Sequence, residues 1–211
     1  MILTPLDQRS LPVALERFAA TLREGEACRV FARIARIADA ERAAGAAATQ
    51  HHRAALDFAH SFGIATVAGA PESSFSWDGR RLRSDTEAYV LIHEVAHYQL
   101  ASPERRRVVD FGLGAGPDTG ERAAADAAMR LFGLARETEE ALASLLGVLW
   151  EIELGQPGLA SFLDHNWLEG AGRPSAANYF EGMLRRLRMQ GFLDAALRPT
   201  RHLRSEPDAA E

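Results

Sequence analysis

One apolar segment, Val90-Leu91-Ile92-His93-Glu94-Val95-Ala96-His97-Tyr98-Gln99-Leu100, constrains this chain more than any other. Its apolar residues run almost without a break, so the folded chain has to cover it on most sides. It nevertheless carries His93, Glu94 and His97 in the pattern H-E-x-x-H. On a helix, residues four apart differ in direction by about 40°, because each residue turns about 100°. Both imidazoles therefore face one point. Burying two histidines and a glutamate with no partner is costly. A shared metal ion offsets that cost, and Glu94 beside it can accept a proton from a metal-bound water or brace the ligands.

The rest of the chain reads as mainly α. Apolar spacing predicts helices over 13–24, 28–44 and 50–62, then 86–100, 121–132, 137–153 and 173–190. Strand signals are confined to 64–67 and to a small β-hairpin, in which Phe75-Ser76-Trp77 and Arg80-Arg81-Leu82 flank Asp78-Gly79. The hairpin precedes the helix that carries the histidines. The glycine-rich run Phe111 to Pro117 is expected as a loop; with no strand before it and no helix starting in register, it fails as a nucleotide fingerprint. These features divide the chain into a helical N-terminal region (1–62), a metal-binding core domain (63–197) and a polar, disordered tail (198–211).

Composition excludes several function classes. The 211 residues carry a net charge of -5, which argues against nucleic acid as a general partner. No lysine occurs, so all 24 basic residues are arginine. Schiff-base chemistry and a lysine-dependent phosphate loop are therefore excluded. Cys28 is the only cysteine, in keeping with a reducing compartment. No apolar run reaches the roughly 20 residues needed to span a bilayer, and Met1 to Ser10 lacks the charge pattern of a signal peptide. A cytoplasmic protein without membrane contact is the expectation.

Two histidines need a third ligand. Downstream candidates are Asp110, Asp118, Glu121, Asp126, Glu137, Glu140, Asp164, His165 and Glu169. The cluster Glu137, Glu139, Glu140 opens a helix about forty residues on, and Glu137 is the leading choice within it. Acidic residues also favour helix N-termini for electrostatic reasons alone. Asp110 is positioned to orient a ligating histidine through its free ring nitrogen, or to serve a turn. His165 is assigned a role behind the ligands or toward substrate.

A block of motifs resembles the elongation factor P hydroxylases (EpmC). It comprises Ile92-His93-Glu94 with His97, Arg105-Arg106, Val109-Asp110-Phe111-Gly112, Pro117-Asp118, Asn166 with Leu168-Glu169-Gly170, and Arg173-Pro174 before Tyr179-Phe180. The resemblance spans about residues 84 to 190. It implies hydroxylation of a modified lysine on elongation factor P by non-heme iron, with His93, His97 and Glu137 holding Fe2+ and Glu94 beside it. It equally admits a related oxygenase acting on another protein or on a small molecule.

Two rival classes share the same residues. A zinc-dependent peptidase uses H-E-x-x-H with a distal glutamate, Glu94 acting as base. Such enzymes usually hold peptide along a sheet edge, for which this sequence offers few strands. A helical protein that binds metal or a partner without catalysis is the third class.

Overall fold

The computed structural model describes residues 9–69 and 74–208. Eight α-helices occur among them: α1 (Leu11–Thr21), α2 (Gly25–Ile34), α3 (Gly45–Ser61), α4 (Ala88–Leu100), α5 (Arg122–Ala127), α6 (Gly133–Glu153), α7 (Gly158–Asp164) and α8 (Pro174–Met189). The only sheet among the described residues joins β1 (Ala65–Val67) and β2 (Arg81–Arg83) in parallel. The fold is mainly α.

α4 is the central helix because almost every side it presents is apolar. Leu91, Ile92, Val95 and Ala96 are fully buried, and α3 and α6 pack along it. It ends where Ala101 turns to an extended conformation, two residues before Pro103. It begins at Ala88, two residues later than the predicted start, and the Asp85 carboxylate ahead of it accepts the Gly69 N–H at 2.8 Å. The expected hairpin is reduced to an antiparallel bridge, Trp77 to Leu82, closed by Asp78 N–H donating to the Arg81 carbonyl. Within β2, Leu82 enters the core while Arg81 pairs with Asp78 and Arg83 donates to the Asp118 carbonyl.

The boundary expected near residue 63 does not separate two cores. Phe18 of α1 and Phe31 of α2 have ring centroids 4.8 Å apart, and Phe18 meets Phe180 of α8 at 5.7 Å. Phe162 of α7 meets Phe31 and Phe180, each at 5.9 Å. Edge-on and tilted contacts of this kind favour the ring quadrupoles as well as burying area. The same apolar cluster continues through Phe58 into Trp150 of α6 and to α4. α8 adds a polar tie, since the buried Glu181 carboxylate accepts the N–H groups of Arg23 and Glu24 just ahead of α2. The predicted helix over 28–44 stops at Ile34, followed by a single 3-10 turn, Ile37–Asp39.

The C-terminal segment through residue 208 is held, contrary to the expectation of a disordered tail. Gln99 of α4, fully buried, donates both amide hydrogens to the tail, to the Thr200 carbonyl at 2.9 Å and the His202 carbonyl at 2.8 Å. Its carbonyl oxygen accepts from the Trp150 indole at 2.7 Å. A polar segment can thus lie against an apolar helix because one amide satisfies three polar groups, two of them tail carbonyls and one the buried Trp150 indole. Replacing Gln99 with leucine strands those partners. Gln99→Leu is expected to lower stability by about 2–4 kcal/mol, measured by urea unfolding; a loss under about 0.5 kcal/mol would contradict this role for the amide.

Candidate metal centre

α4 and α6 cross closely at Gly147. A Cβ added there would lie 3.4 Å from the His93 Cα and 3.9 Å from its Cβ. A methyl group would sit there at contact distance, so a side chain larger than that of alanine would push the helices apart at the level of the histidines. Seven residues before Gly147, about two helical turns, Glu140 lies on the same side of α6. The crossing therefore brings one carboxylate to the imidazole pair.

Three ligand atoms converge there. His93 Nε2 and His97 Nε2 are 3.0 Å apart, and the Glu140 Oε2 lies 3.3 Å from His97 Nε2 and 3.8 Å from His93 Nε2. A circle through three points so spaced has a radius of about 2.0 Å, close to the length of a metal–nitrogen or metal–carboxylate bond. The residues fit an ion, and His93, His97 and Glu140 together could hold one. The carboxylate that joins the histidines is thus Glu140. Glu137, favoured from the sequence, is exposed on the preceding turn of α6, and Glu139 turns to the opposite, buried side. Glu140 stands among the sequence candidates, but acidic clustering at the helix start does not distinguish it. Glu140, Ser144 and Gly147 at i, i+4 and i+7 form the face turned to α4, but Glu137, Ala141 and Ser144 share that spacing, so the sequence does not single out Glu140.

The surroundings set the charges. Burial lowers the His93 pKa well below its usual value, reinforced by His97 and His165, so this ring is neutral and ready to donate a lone pair. For His97, burial works in the same direction but is outweighed by Glu140, with Glu94 and Glu139 adding to it, and the ring is raised to about 9. Burial would raise Glu140; the charge and hydrogen bond of His97 instead hold it down at about 2. Glu94, at the side of the pair, is pushed up to about 8 by burial, and by Asp110, Glu140 and Asp118 against the pull of His97. The centre is a nest of carboxylates that keeps one positive charge, as a proton on His97 or as a cation in its place.

The rings are fixed from behind by packing. Phe111 stacks on His97 at 5.9 Å with 22° between planes, and Trp77 stacks on Phe111 at 5.2 Å with 10°. Asp110 and Phe111 both adopt positive φ, 42° and 53°, a conformation costing of order 1–3 kcal/mol each. The Asp110 carboxylate secures this turn, accepting the Trp77 N–H at 3.1 Å and the Thr119 hydroxyl at 2.6 Å. Asp110 therefore braces the turn beneath His97, the other role open to it, and is not hydrogen-bonded to a histidine. Among the described residues the Nδ1 atoms of His93 and His97 are buried without a hydrogen-bond partner. His165 stands on the other side of His93, ring centroids 5.2 Å apart.

A cavity of about 840 Å³ opens in front of the three ligand atoms. Its walls bring together Glu94, Pro117 and Asp118, Asn166 with Glu169 and Gly170, and Arg173 with Tyr179, drawn from four separate stretches of chain. Tyr89 and Trp167 also line it, and nothing in the sequence pattern singles either out for the site. No family model, curated protein or solved structure matches this chain. No helix among the described residues is long and apolar enough to cross a membrane.

Two outcomes distinguish this centre. In Co2+ titrations, His93→Ala, His97→Ala and Glu140→Ala should each weaken binding at least about a hundredfold, whereas Glu137→Ala should leave it within about twofold. Affinity should also climb with pH. A ligand must shed the His97 proton, so below about 9 each unit of pH favours the metal by about tenfold. Flat affinity between pH 6 and 8 would show that no such proton is displaced.

Proposed function

We propose that the chain is a non-heme iron-dependent hydroxylase of the kind that the elongation factor P hydroxylases represent. The observation that carries this reading is the ligand set itself. Two imidazoles and one carboxylate occupy one side of a point whose other side opens into the cavity, the donor set and open positions that suit iron(II) oxygenases. Iron(II) bound there would supply the activation of dioxygen, which zinc, lacking an accessible redox state, does not.

The resemblance adds support from an independent direction. Its motifs are dispersed over about a hundred residues of sequence, yet Glu94, Asp110, Asp118, Asn166, Glu169 and Arg173 all line one cavity. The chain's own groups then have definable tasks. His93, His97 and Glu140 hold the ion. Phe111 and the turn it belongs to keep the His97 ring from rotating. Glu94 exchanges a proton with a molecule in the cavity: burial raises its carboxyl, while a nearby cation lowers it again toward neutrality. Tyr89, Trp167 and Tyr179 give the cavity aromatic walls against which a substrate would pack. The overall change would insert one oxygen atom from dioxygen into a C–H bond. The other oxygen would leave as water, at the expense of two electrons and two protons from an external reductant.

A zinc peptidase would use the same donor residues. It finds less support in the fold, where the described sheet has two three-residue strands and offers little edge to align a peptide. The deciding experiment is elemental analysis of protein purified without oxygen, followed by oxygen uptake after loading with Fe2+ and ascorbate. Iron retention with uptake that disappears in His97→Ala is expected. Glu94→Gln should keep the iron and lose about a hundredfold in turnover once a substrate is in hand. Zinc retention with peptide hydrolysis and no oxygen uptake would replace this reading.

A further inference from the structure

Arg105 is the largest fully buried side chain in the described protein, 2% exposed, and it lies outside the ligand set. Its guanidinium makes four hydrogen bonds. Two go to the Glu139 carboxylate, at 2.8 and 2.5 Å, in the bidentate arrangement that fixes both partners in one plane. A third goes to the Phe111 carbonyl at 3.0 Å, and a fourth to the Asp208 carboxylate at 2.9 Å. Asp208 also accepts the Ser102 hydroxyl at 2.7 Å. Every one of these partners belongs to a different part of the frame around the ion site. Glu139 is the chain neighbour of Glu140. Phe111 carries the ring stacked on His97. Ser102 follows the helix that bears both histidines, and Asp208 lies in the C-terminal segment that Gln99 ties to that helix.

We infer that Arg105, Glu139 and Asp208 are positioning residues that set the distance between the Glu140 carboxylate and the two imidazoles. This rests on the reading of His93, His97 and Glu140 as a metal site. Helix α6 can rotate about its axis or slide along α4 only by carrying Glu139 with it, and Glu139 is clamped to a guanidinium that cannot lose its charge. A rotation of α6 that frees Glu139 moves Glu140 from the imidazoles at the same time. The buried carboxylate and guanidinium also hold each other's charge, so removing either leaves the other uncompensated in the interior. The C-terminal segment takes part because Asp208 occupies the one edge of the guanidinium that Glu139 and Phe111 leave open. The arginine run at 105–107, which the metal chemistry itself does not use, thereby acquires a purpose: Arg105 links the frame, and Arg106 fastens the tail by donating to the Tyr98 and Arg204 carbonyls.

The test uses the full chain, stripped of metal, with Co2+ as the probe and its visible absorption as a report on ligand geometry. Glu139→Gln keeps the size of the side chain and removes its charge. It should weaken Co2+ binding by about tenfold or more and alter the spectrum. Asp208→Asn, on the exposed end of the network, should weaken it by about two- to fivefold. Glu153→Gln removes a partly exposed ion pair with Arg33 at the other end of α6 and should leave affinity and spectrum as in the parent. Should Glu139→Gln fail to fold, as judged by far-ultraviolet circular dichroism, Asp208→Asn alone decides the matter. Parent affinity and spectrum in the folded charge variants would overturn the positioning role while leaving the ion site intact. A parent protein that binds no Co2+, or binds it unchanged in His97→Ala, would instead sink the metal site, and this inference with it.

Discussion

The crossing of α4 and α6 is the constraint on which the rest of this structure depends. Gly147 lets the α6 backbone settle against the Cα of His93, and that approach decides where Glu140 arrives. Helices held farther apart by a side chain larger than that of alanine would draw Glu140 away from the imidazole pair and leave two polar rings buried and unmatched. The cost of placing His93, Glu94 and His97 in the protein's most apolar helix is thus met by a specific partner helix. Around that crossing the other elements act as supports: α3 covers the remaining side of α4, and the aromatic cluster of α1, α2, α7 and α8 stiffens the far side of α6.

The electrostatics of the centre follow from the same packing. Burial and the carboxylates of Asp110, Glu140 and Asp118 push the Glu94 carboxyl up across a partly dry space, and the His97 proton is held chiefly by Glu140. Such a cluster is poor as a stabilising device, since burial raises the energy of each charge and only close pairing restores it. It is well suited to hold a cation of higher charge than a proton. The strained turn at Asp110 and Phe111 belongs to the same arrangement. Two residues in left-handed conformation are retained where their side chains brace His97, and backbone strain of that kind gathers at sites where geometry is selected over stability.

Much of the site was legible in the sequence because it is local. The four-residue spacing of His93 and His97 fixes their common direction through the helical repeat alone, and the structure places both Nε2 atoms together. The helical character of the chain was equally legible, and so was the loop at 111–117. The carboxylate that meets the two imidazoles was not. Glu137, Glu139 and Glu140 are alike in chemistry and lie within one turn, and their fates diverge entirely: one is exposed, one is buried against Arg105, and one meets the histidines. The tail was misjudged for a related reason. Its polarity reads as solvation, whereas its backbone carbonyls are taken up by Gln99 and Arg106 from elements about a hundred residues away.

By itself, then, the sequence determined what depends on neighbours along the chain: a buried helix, two imidazoles on one face of it, and turns wherever glycine and proline break the helical pattern. The tertiary structure alone decided which carboxylate completes the centre, that the N-terminal helices share its core, and that dispersed motifs line one cavity. Helical periodicity fixes the direction of a side chain relative to its own axis. Where two axes cross, and at what rotation, depends on the packing of Gly147, the phenylalanine cluster and the Arg105 network together, which no stretch of sequence contains.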